Sequence, residues 1–335
     1  MKIAEILAAF PRLSALVVGD ICLDRWCTYD PAISEASRET GIQRIGVVAT
    51  EVTPGAGGTI ANNLAALGVG RISVLGALGE DGHGYELREA LDSRGISTDL
   101  LIRSDELATF TYTKLINATS GVEDQPRVDF INTRPLPETV ERQIVAGLQA
   151  SAGDFDVIFV SDQAETEHGG AVTRAVREIL AQVAARKVIV ADSRRRTAEF
   201  RNVILKPNQQ EAVCASTSLF GGIDYQRLRR HVAAPLLFVT QGSRGALVVE
   251  ENHETPVPTQ AIGQPVDICG AGDSFAAGAG MALAVTGLDI TGTGFDIKGS
   301  AVEAARVGNL VASVTIMKKG TGTASPAEVL ALAGE

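Results

Sequence analysis

Five short runs of apolar and β-branched residues, ALVVGD (15–20), VIFVSD (157–162), KVIVADS (187–193), VILKPN (203–208) and LLFVTQG (236–242), each stop at Gly, Asp, Ser or Asn. They show no alternation of polar and apolar positions, which predicts strands buried on both faces. Helical patterns lie between them, over 82–93 (GHGYELREALDS), 171–185 and 273–285. Strand alternating with helix restricts the chain to an α/β fold with a parallel sheet covered on both sides. A chain of 335 residues buries about three-quarters of its unfolded surface, so one large core with an appendage accommodates 1–335 as a single domain.

Two regions, 26–52 and 100–132, break the alternation. Patterns such as FTYTKLIN (110–117) and RVDFIN (127–132) have no helix between them. They predict antiparallel strands forming a small lid on one edge. A lid over the carboxyl ends of a parallel sheet implies a ligand held between the two. The Gly- and Thr-rich stretch 286–299 is expected to be a mobile loop.

The net charge of −10, with Lys and Arg scattered, repels polyanions and argues against a nucleic-acid partner. Cys22, Cys27, Cys214 and Cys269 form no Cys-x-x-Cys pair, the pattern of reduced thiols in a cytosolic protein without zinc. Glu5, Pro11 and Arg12 interrupt the apolar start, and no run approaches ~20 apolar residues. A soluble, cytoplasmic protein is expected, with no membrane contact. A P-loop is absent, and Gly55-Ala-Gly57-Gly58 lacks the third small residue of a dinucleotide turn. The four histidines have no ligand spacing.

The chemistry resides in four stretches. CGAGDSFAAG (269–278) places Gly270, Ala271 and Gly272 before Asp273 and an apolar helix. Unsatisfied N–H groups at such a helix start hold anions, and absent side chains let a phosphoryl group approach the backbone. Asp273 is then either a base that takes the proton of an attacking hydroxyl or a helix cap. KPNQQE puts Asn208 and Glu211 three apart beside Lys206. This pair is either a hard-oxygen set for hydrated Mg²⁺ or a capping box. TQGSRGA gives Thr240, Gly242 and Gly245, a tight turn that lies under a nucleotide or simply joins a hairpin. GDICLD supplies Asp24, and PGAGGTIANN supplies Gly55, Gly57 and Gly58 leading into a helix capped by Thr59. These read as a polyol site or as a solvated turn. Arg194, Arg195 and Arg196 meet phosphate or form wet surface.

Taken jointly, GAGDSFAAG preceded by KPNQQE and TQGSRG, with a Gly-rich turn near 55, resembles the ribokinase-like carbohydrate kinases of the PfkB family. The resemblance spans nearly the whole chain, through VVGDICLDR, LGALGEDGHGYELREALDSRGI, TKLIN, VSD, VIVADS, LKPNQQE and KKGTGTASPAEV. GDICLDR, ISEA, TYTK, RVDF and GTGTASP bring it nearest to kinases that phosphorylate D-glycero-D-manno-heptose 7-phosphate at O1. It implies a three-layer α/β/α sandwich with a β-strand lid, ATP and Mg²⁺ as cofactors, and a homodimer formed through lid strands; a monovalent-cation dependence is left open.

The resemblance makes Asp273 the base and Gly270, Ala271 and Gly272 the anion hole. Asn208 and Glu211 organise Mg²⁺ and phosphate, with Lys206 near the phosphates. Thr240, Gly242 and Gly245 line the nucleotide, and Asn309 stands at its adenine end. Asp24, Gly55 and Gly57 meet the sugar, while Arg25, Lys114 and Arg127 match positions facing a phosphorylated sugar. Two departures bear on the substrate. Thr59 stands where the family's sugar-binding turn has Asn, and Gln163-Ala-Glu165-Thr replaces a Tyr and a Lys-Gly pair. An adenylyltransferase half, usual in the heptose kinases, is not expected after the 318–329 tail. The expected function is an ATP- and Mg²⁺-dependent sugar kinase, against a nucleotide-binding regulator or a nucleoside kinase on the same fold.

Overall fold

The structure is a computed structural model that describes residues 1–260, 263–286, 289–291, 294–296 and 300–335. Its main sheet has nine strands, in the spatial order His253–Val257, Ala246–Glu250, Leu237–Thr240, Ile204–Leu205, Val188–Ser193, Val157–Asp162, Ser14–Gly19, Arg71–Gly79 and Ser97–Ser104. Pairing is parallel except at the edge where Ala246–Glu250 meets its two neighbours.

The apolar runs explain the layers. Along Ser14–Gly19, Ala15 and Val17 enter one core while Leu16 and Val18 enter the other. Along Val157–Asp162, Val157 and Phe159 oppose Ile158 and Val160 in the same way. A strand with period-2 geometry and no polar face must be covered twice. The helices Gly57–Ala66, Ala271–Thr286 and Ser300–Thr315 cover the first face. Glu138–Ser151, Arg174–Val183 and Gln209–Phe220 cover the second.

A second sheet has the order Val47–Ala56, Ile21–Tyr29, Thr111–Asn117, Val128–Phe130. This is the lid, and it differs from the expected one in two ways. Its strands lie within 21–56 and 111–130, because Ser97–Ser104 pairs parallel with Arg71–Gly79 in the main sheet. Its strands are not all antiparallel either: Ile21–Tyr29 runs parallel to Thr111–Asn117, since the segment joining them passes back through the main sheet. The lid strand Ile21–Tyr29 continues from Ser14–Gly19 with only Asp20 between them.

The helix after PGAGG starts at Gly57. Its N-cap is Ala56, at φ 51°, so Thr59 lies inside the helix rather than capping it. Within 286–299, Thr286 ends the helix Ala271–Thr286, Asp289–Thr291 and Gly294–Asp296 pair antiparallel, and the remaining residues of that expected mobile loop lie outside the described residues. Cys22, Cys27, Cys214 and Cys269 are free thiols. Among the described residues no helix is long and apolar enough to cross a membrane.

The helix Ala271–Thr286 is seated by glycines. A Cβ on Gly280 would enter the Phe159 ring, and one on Gly278 would stand 2.8 Å from Val311 Cγ2. Interiors at crystal-like density resist such additions. Gly280→Leu should therefore lower the unfolding free energy by about 1–3 kcal/mol or more. Urea midpoints check this, and an unchanged midpoint would mean that the helix does not sit on Phe159.

Candidate active site

The loops that follow Val157–Asp162 and Val188–Ser193 line one cavity with the tip of the helix Ala271–Thr286. Gly270, at φ +77°, turns the chain into that helix, and a Cβ there would stand 3.0 Å from Thr59 Cγ2. The Ala271 N–H donates to Ile268 O at 3.3 Å. Within the expected trio Gly270, Ala271 and Gly272, one amide is thus already engaged. The Ser274 N–H donates to Gly270 O at 2.9 Å, which leaves the Gly272 and Asp273 amides between them as first-turn donors that present positive charge at the tip.

Beneath the tip lies Lys206, 2% exposed. Its Nζ stands 3.1 Å from Asp192 Oδ2, and a Cβ on Gly272 would come 3.2 Å from the same nitrogen. A bare Gly272 therefore leaves room for a buried ammonium under the helix start. Burial alone would pull the lysine down, but Asp192, Glu211 and Asp273 outweigh it and hold its pKa above the ordinary value. Asp273, in the first helical turn, is pushed up to about 7 by burial and then by Asp192, against the pull of Lys206 and Arg194. Such an acid is half ionised near neutrality, which is where a general base works best.

Asn208 and Glu211 form the capping box. The Asn208 N–H donates to Glu211 Oε2 at 2.8 Å, and the Glu211 N–H donates to Asn208 Oδ1 at 2.9 Å. The capping geometry does not exclude a metal role, because Glu211 Oε1 is outside the box, 3.7 Å from Arg194 Nη1. Among the described residues no group of three or more His, Cys, Asp and Glu forms a metal site. The fit for Mg²⁺ is therefore one hard carboxylate oxygen acting through water, in keeping with how reluctantly that ion dehydrates.

Thr240 is bridged to Asn208 in parallel, its N–H donating to Pro207 O at 3.0 Å. Gly242 (φ +60°) and Gly245 (φ +85°) form the turn of the hairpin that follows. The turn joins the two strands of a hairpin, and the hairpin lies beside the Asn208–Glu211 capping box. Asn309 donates from Nδ2 to Val257 O at 2.9 Å, pinning its helix to the edge strand.

On the lid side, Asp24, Lys114 and Arg127 line one cavity with Thr59, Gly270 and Asp273. Burial raises the Asp24 pKa to about 6, while Lys114 and Arg127 pull it back. A Cβ on Gly55 would come within 2.6 Å of the Asp24 carboxyl carbon, so the bare Gly55 leaves space for this acid. Lys114 lies 4.4 Å over the Trp26 ring and 3.8 Å from Glu123. Arg127 is held by Asp129, Nη2 to Oδ2 at 2.7 Å.

Two expected contacts are corrected. Arg25 alternates with Asp24 and Trp26 along its strand and so faces the other way, 3.0 Å from His83 Nε2 and 3.4 Å from Glu86 Oε2. Gly57 faces Ile21 Cδ1 and Ser161 Cβ, and is bare because the helix packs there.

Asp192 and Trp26 carried no motif signal, whereas Gln163 and Arg194 stand in stretches that the sequence already marks. Asp192 ends a strand next to Lys206. Trp26, Tyr112, Gln163 and Thr321 reach the cavity from four separate segments. The arginine run splits by role: Arg194 lines the cavity, whereas Arg196 pairs with the buried Asp162 at 2.6 Å. Strand-end position was the one signal available for Asp192.

A family model described as pfkB family carbohydrate kinase matches residues 15–328. The chain is 30% identical over 331 residues to the bifunctional protein HldE of Trichlorobacter lovleyi, covering 95% of this chain and 62% of that one. It is 29% identical over 342 residues to HldE of Geobacter sulfurreducens, covering 99% and 65%. The chain thus spans a little under two-thirds of the length of these relatives. Of solved structures, phosphofructokinase-2 from Escherichia coli in complex with potassium superposes with a TM-score of 0.70 at 16% identity, covering 96% and 98% of the two chains. Fructokinase with bound ATP from Xylella fastidiosa gives 0.68 at 18%, with the same coverage. These structures share the fold.

The buried pair makes a stability test. Lys206→Met leaves Asp192 without its buried counter-ion and should cost about 3–5 kcal/mol of unfolding free energy, while Lys206→Met with Asp192→Leu should recover most of it. Urea unfolding of both variants checks this, and a loss under about 1 kcal/mol for the single variant would show a solvated Asp192.

Proposed function

The chain belongs to the pfkB family of carbohydrate kinases, phosphotransferases with an alcohol group as acceptor, and we propose that residues 1–335 form one kinase unit that phosphorylates a sugar or sugar phosphate from ATP with Mg²⁺. D-glycero-D-manno-heptose 7-phosphate, at O1, is the first acceptor to test, supported by the HldE likeness and by Lys114 and Arg127 in the cavity. Because Asp129 and Trp26 already hold these cations, an acceptor phosphate would have to draw them from their partners.

The observation that carries the reading is the place of Asp273. Its carboxyl lies between the lid cavity with Asp24 and the charged set Lys206, Asp192 and Arg194 at the helix tip. An acceptor hydroxyl aligned by Asp24 gives its proton to Asp273 as it attacks the terminal phosphorus. Helix-tip amides, Lys206 and Arg194 then offset the charge that develops on the transferring group. Mg²⁺, held through water at Glu211, would neutralise phosphate oxygens of ATP. Thr240, Gly242, Gly245 and Asn309 flank the nucleotide, and the lid excludes water. The lid also exposes Val47, Val48, Val128, Phe130 and Ile131, an apolar set that supports a homodimer through lid strands, with light scattering as its check. We read the protein as acting in the cytoplasm, where ATP and reduced thiols are found.

Sugar-stimulated ADP release over hexoses, heptoses, their phosphates and nucleosides tests the activity. ATP binding with no stimulation by any of them would favour a regulator. Asp273→Asn should lower kcat by about 10² to 10⁴ without lowering the melting temperature, since Asn fills the same space in the first helical turn and carries no charge to bury. The wild-type rate should rise with pH through about 7, the region in which Asp273 loses its proton, because a base acts only when ionised. Full turnover in the Asn variant would remove Asp273 from the mechanism.

A further inference from the structure

The loop 163–171 carries Gln163 and Glu165 into the lid cavity, yet it has no helix or strand of its own to set its shape. Three of its backbone N–H groups converge on one side chain outside the catalytic set. Gln163 and Ala164 donate to Asp20 Oδ2 at 2.8 and 2.9 Å, and Ala171 donates to Asp20 Oδ1 at 2.7 Å. Gly170 lets the loop close on the carboxylate, because a Cβ there would come 2.8 Å from Ala164 Cβ and 3.4 Å from both Asp20 oxygens.

Asp20 is 2% exposed and is the single residue between the core strand Ser14–Gly19 and the lid strand Ile21–Tyr29. Its own N–H donates to Ser161 O, and its C=O accepts from the Gly57 N–H, both at 2.9 Å. One residue therefore touches the core sheet, the lid, the start of the helix Gly57–Ala66 and the cavity wall. A buried carboxylate is costly unless it is hydrogen-bonded. The neighbouring carboxylate that acts on it, Asp162, is paired with Arg196 at 2.6 Å, and among the described residues backbone N–H groups alone bond the Asp20 oxygens. Burial and then Asp162 push its pKa up to about 6, against the three N–H groups. It is thus ionised at neutral pH, the form in which charge-assisted N–H bonds are strongest.

We propose that Asp20 is a positioning residue that fixes the 163–171 wall of the acceptor cavity to the hinge from which the lid departs, so that wall and lid keep one relative geometry. Its kinetic readout rests on the kinase reading above. Its structural readout does not.

Hydrogen–deuterium exchange on the full, ligand-free chain should show the 163–171 amides exchanging at least about tenfold faster in Asp20→Asn. The strand Val188–Ser193 should stay within about twofold of wild type. With ATP and D-glycero-D-manno-heptose 7-phosphate, the acceptor KM should rise about tenfold while the ATP KM and kcat stay within about twofold. Should Asp20→Asn fail to fold, Gly170→Ala retains the carboxylate, pushes the loop off it and should give the same pattern. Unchanged exchange in 163–171, exchange rising uniformly over the sheet, or an ATP KM rising in step with the acceptor KM would each overturn the proposal. If the wild type does not phosphorylate this sugar, the acceptor assignment falls while the exchange pattern still decides the role of Asp20.

Discussion

The site rests on buried charge held at one helix tip. Lys206 and Asp192 are both nearly out of solvent, and the ammonium lies beside the bare Gly272. Either charge alone would be expelled from such a place, because the desolvation cost of one ion far exceeds any local hydrogen bond. Together they set the field in which Asp273 titrates: Asp192 adds negative charge, Lys206 and Arg194 remove part of it, and burial sets the direction. The folded-state pKa then lies above the ordinary 3.8. Between those two values the folded chain holds a proton that the unfolded chain has lost, so this group costs stability as pH rises through that window. A buried carboxyl that titrates near neutrality is, by the same physics, a weak point in the fold.

Several glycines serve the site by making room. Gly55 leaves space for the Asp24 carboxyl, Gly272 for the Lys206 ammonium, and Gly280 for the Phe159 ring beneath the helix Ala271–Thr286. The helix Ala271–Thr286 can thus sit close to the sheet while its first turn points at the cavity. Ala56, at φ 51° and lining that cavity, marks the joint between a lid strand and a helix, a conformation that non-glycine residues hold only when their surroundings enforce it.

Topology then decides which residues meet. The lid strand that carries Asp24 grows directly from a central strand of the main sheet, with Asp20 between them. Its neighbour Thr111–Asn117 brings Lys114 to within reach of the Trp26 ring. On the other side, the parallel bridge between Asn208 and Thr240 joins two motifs more than thirty positions apart in sequence. Ligand groups collect at the carboxyl ends of the strands because the connections there are free of sheet hydrogen bonding.

Much of this was legible in the chain alone. Uniform apolar runs fixed the buried strands, since any strand without a polar face must be covered twice, and the capping box of Asn208 with Glu211 follows from local spacing. Glycine-before-acid at 270–273 likewise marked the helix tip. What sequence did not carry were relations through space. Alternation along one strand turned Arg25 away from the cavity that Asp24 enters. Helix packing took Gly57, and parallel pairing took Ser97–Ser104 out of the lid. The partnership of Lys206 with Asp192, and the three loop amides gathered on Asp20, join residues from separate strands and loops. No one-dimensional pattern encodes the distance between two buried charges; only the folded sheet brings them together.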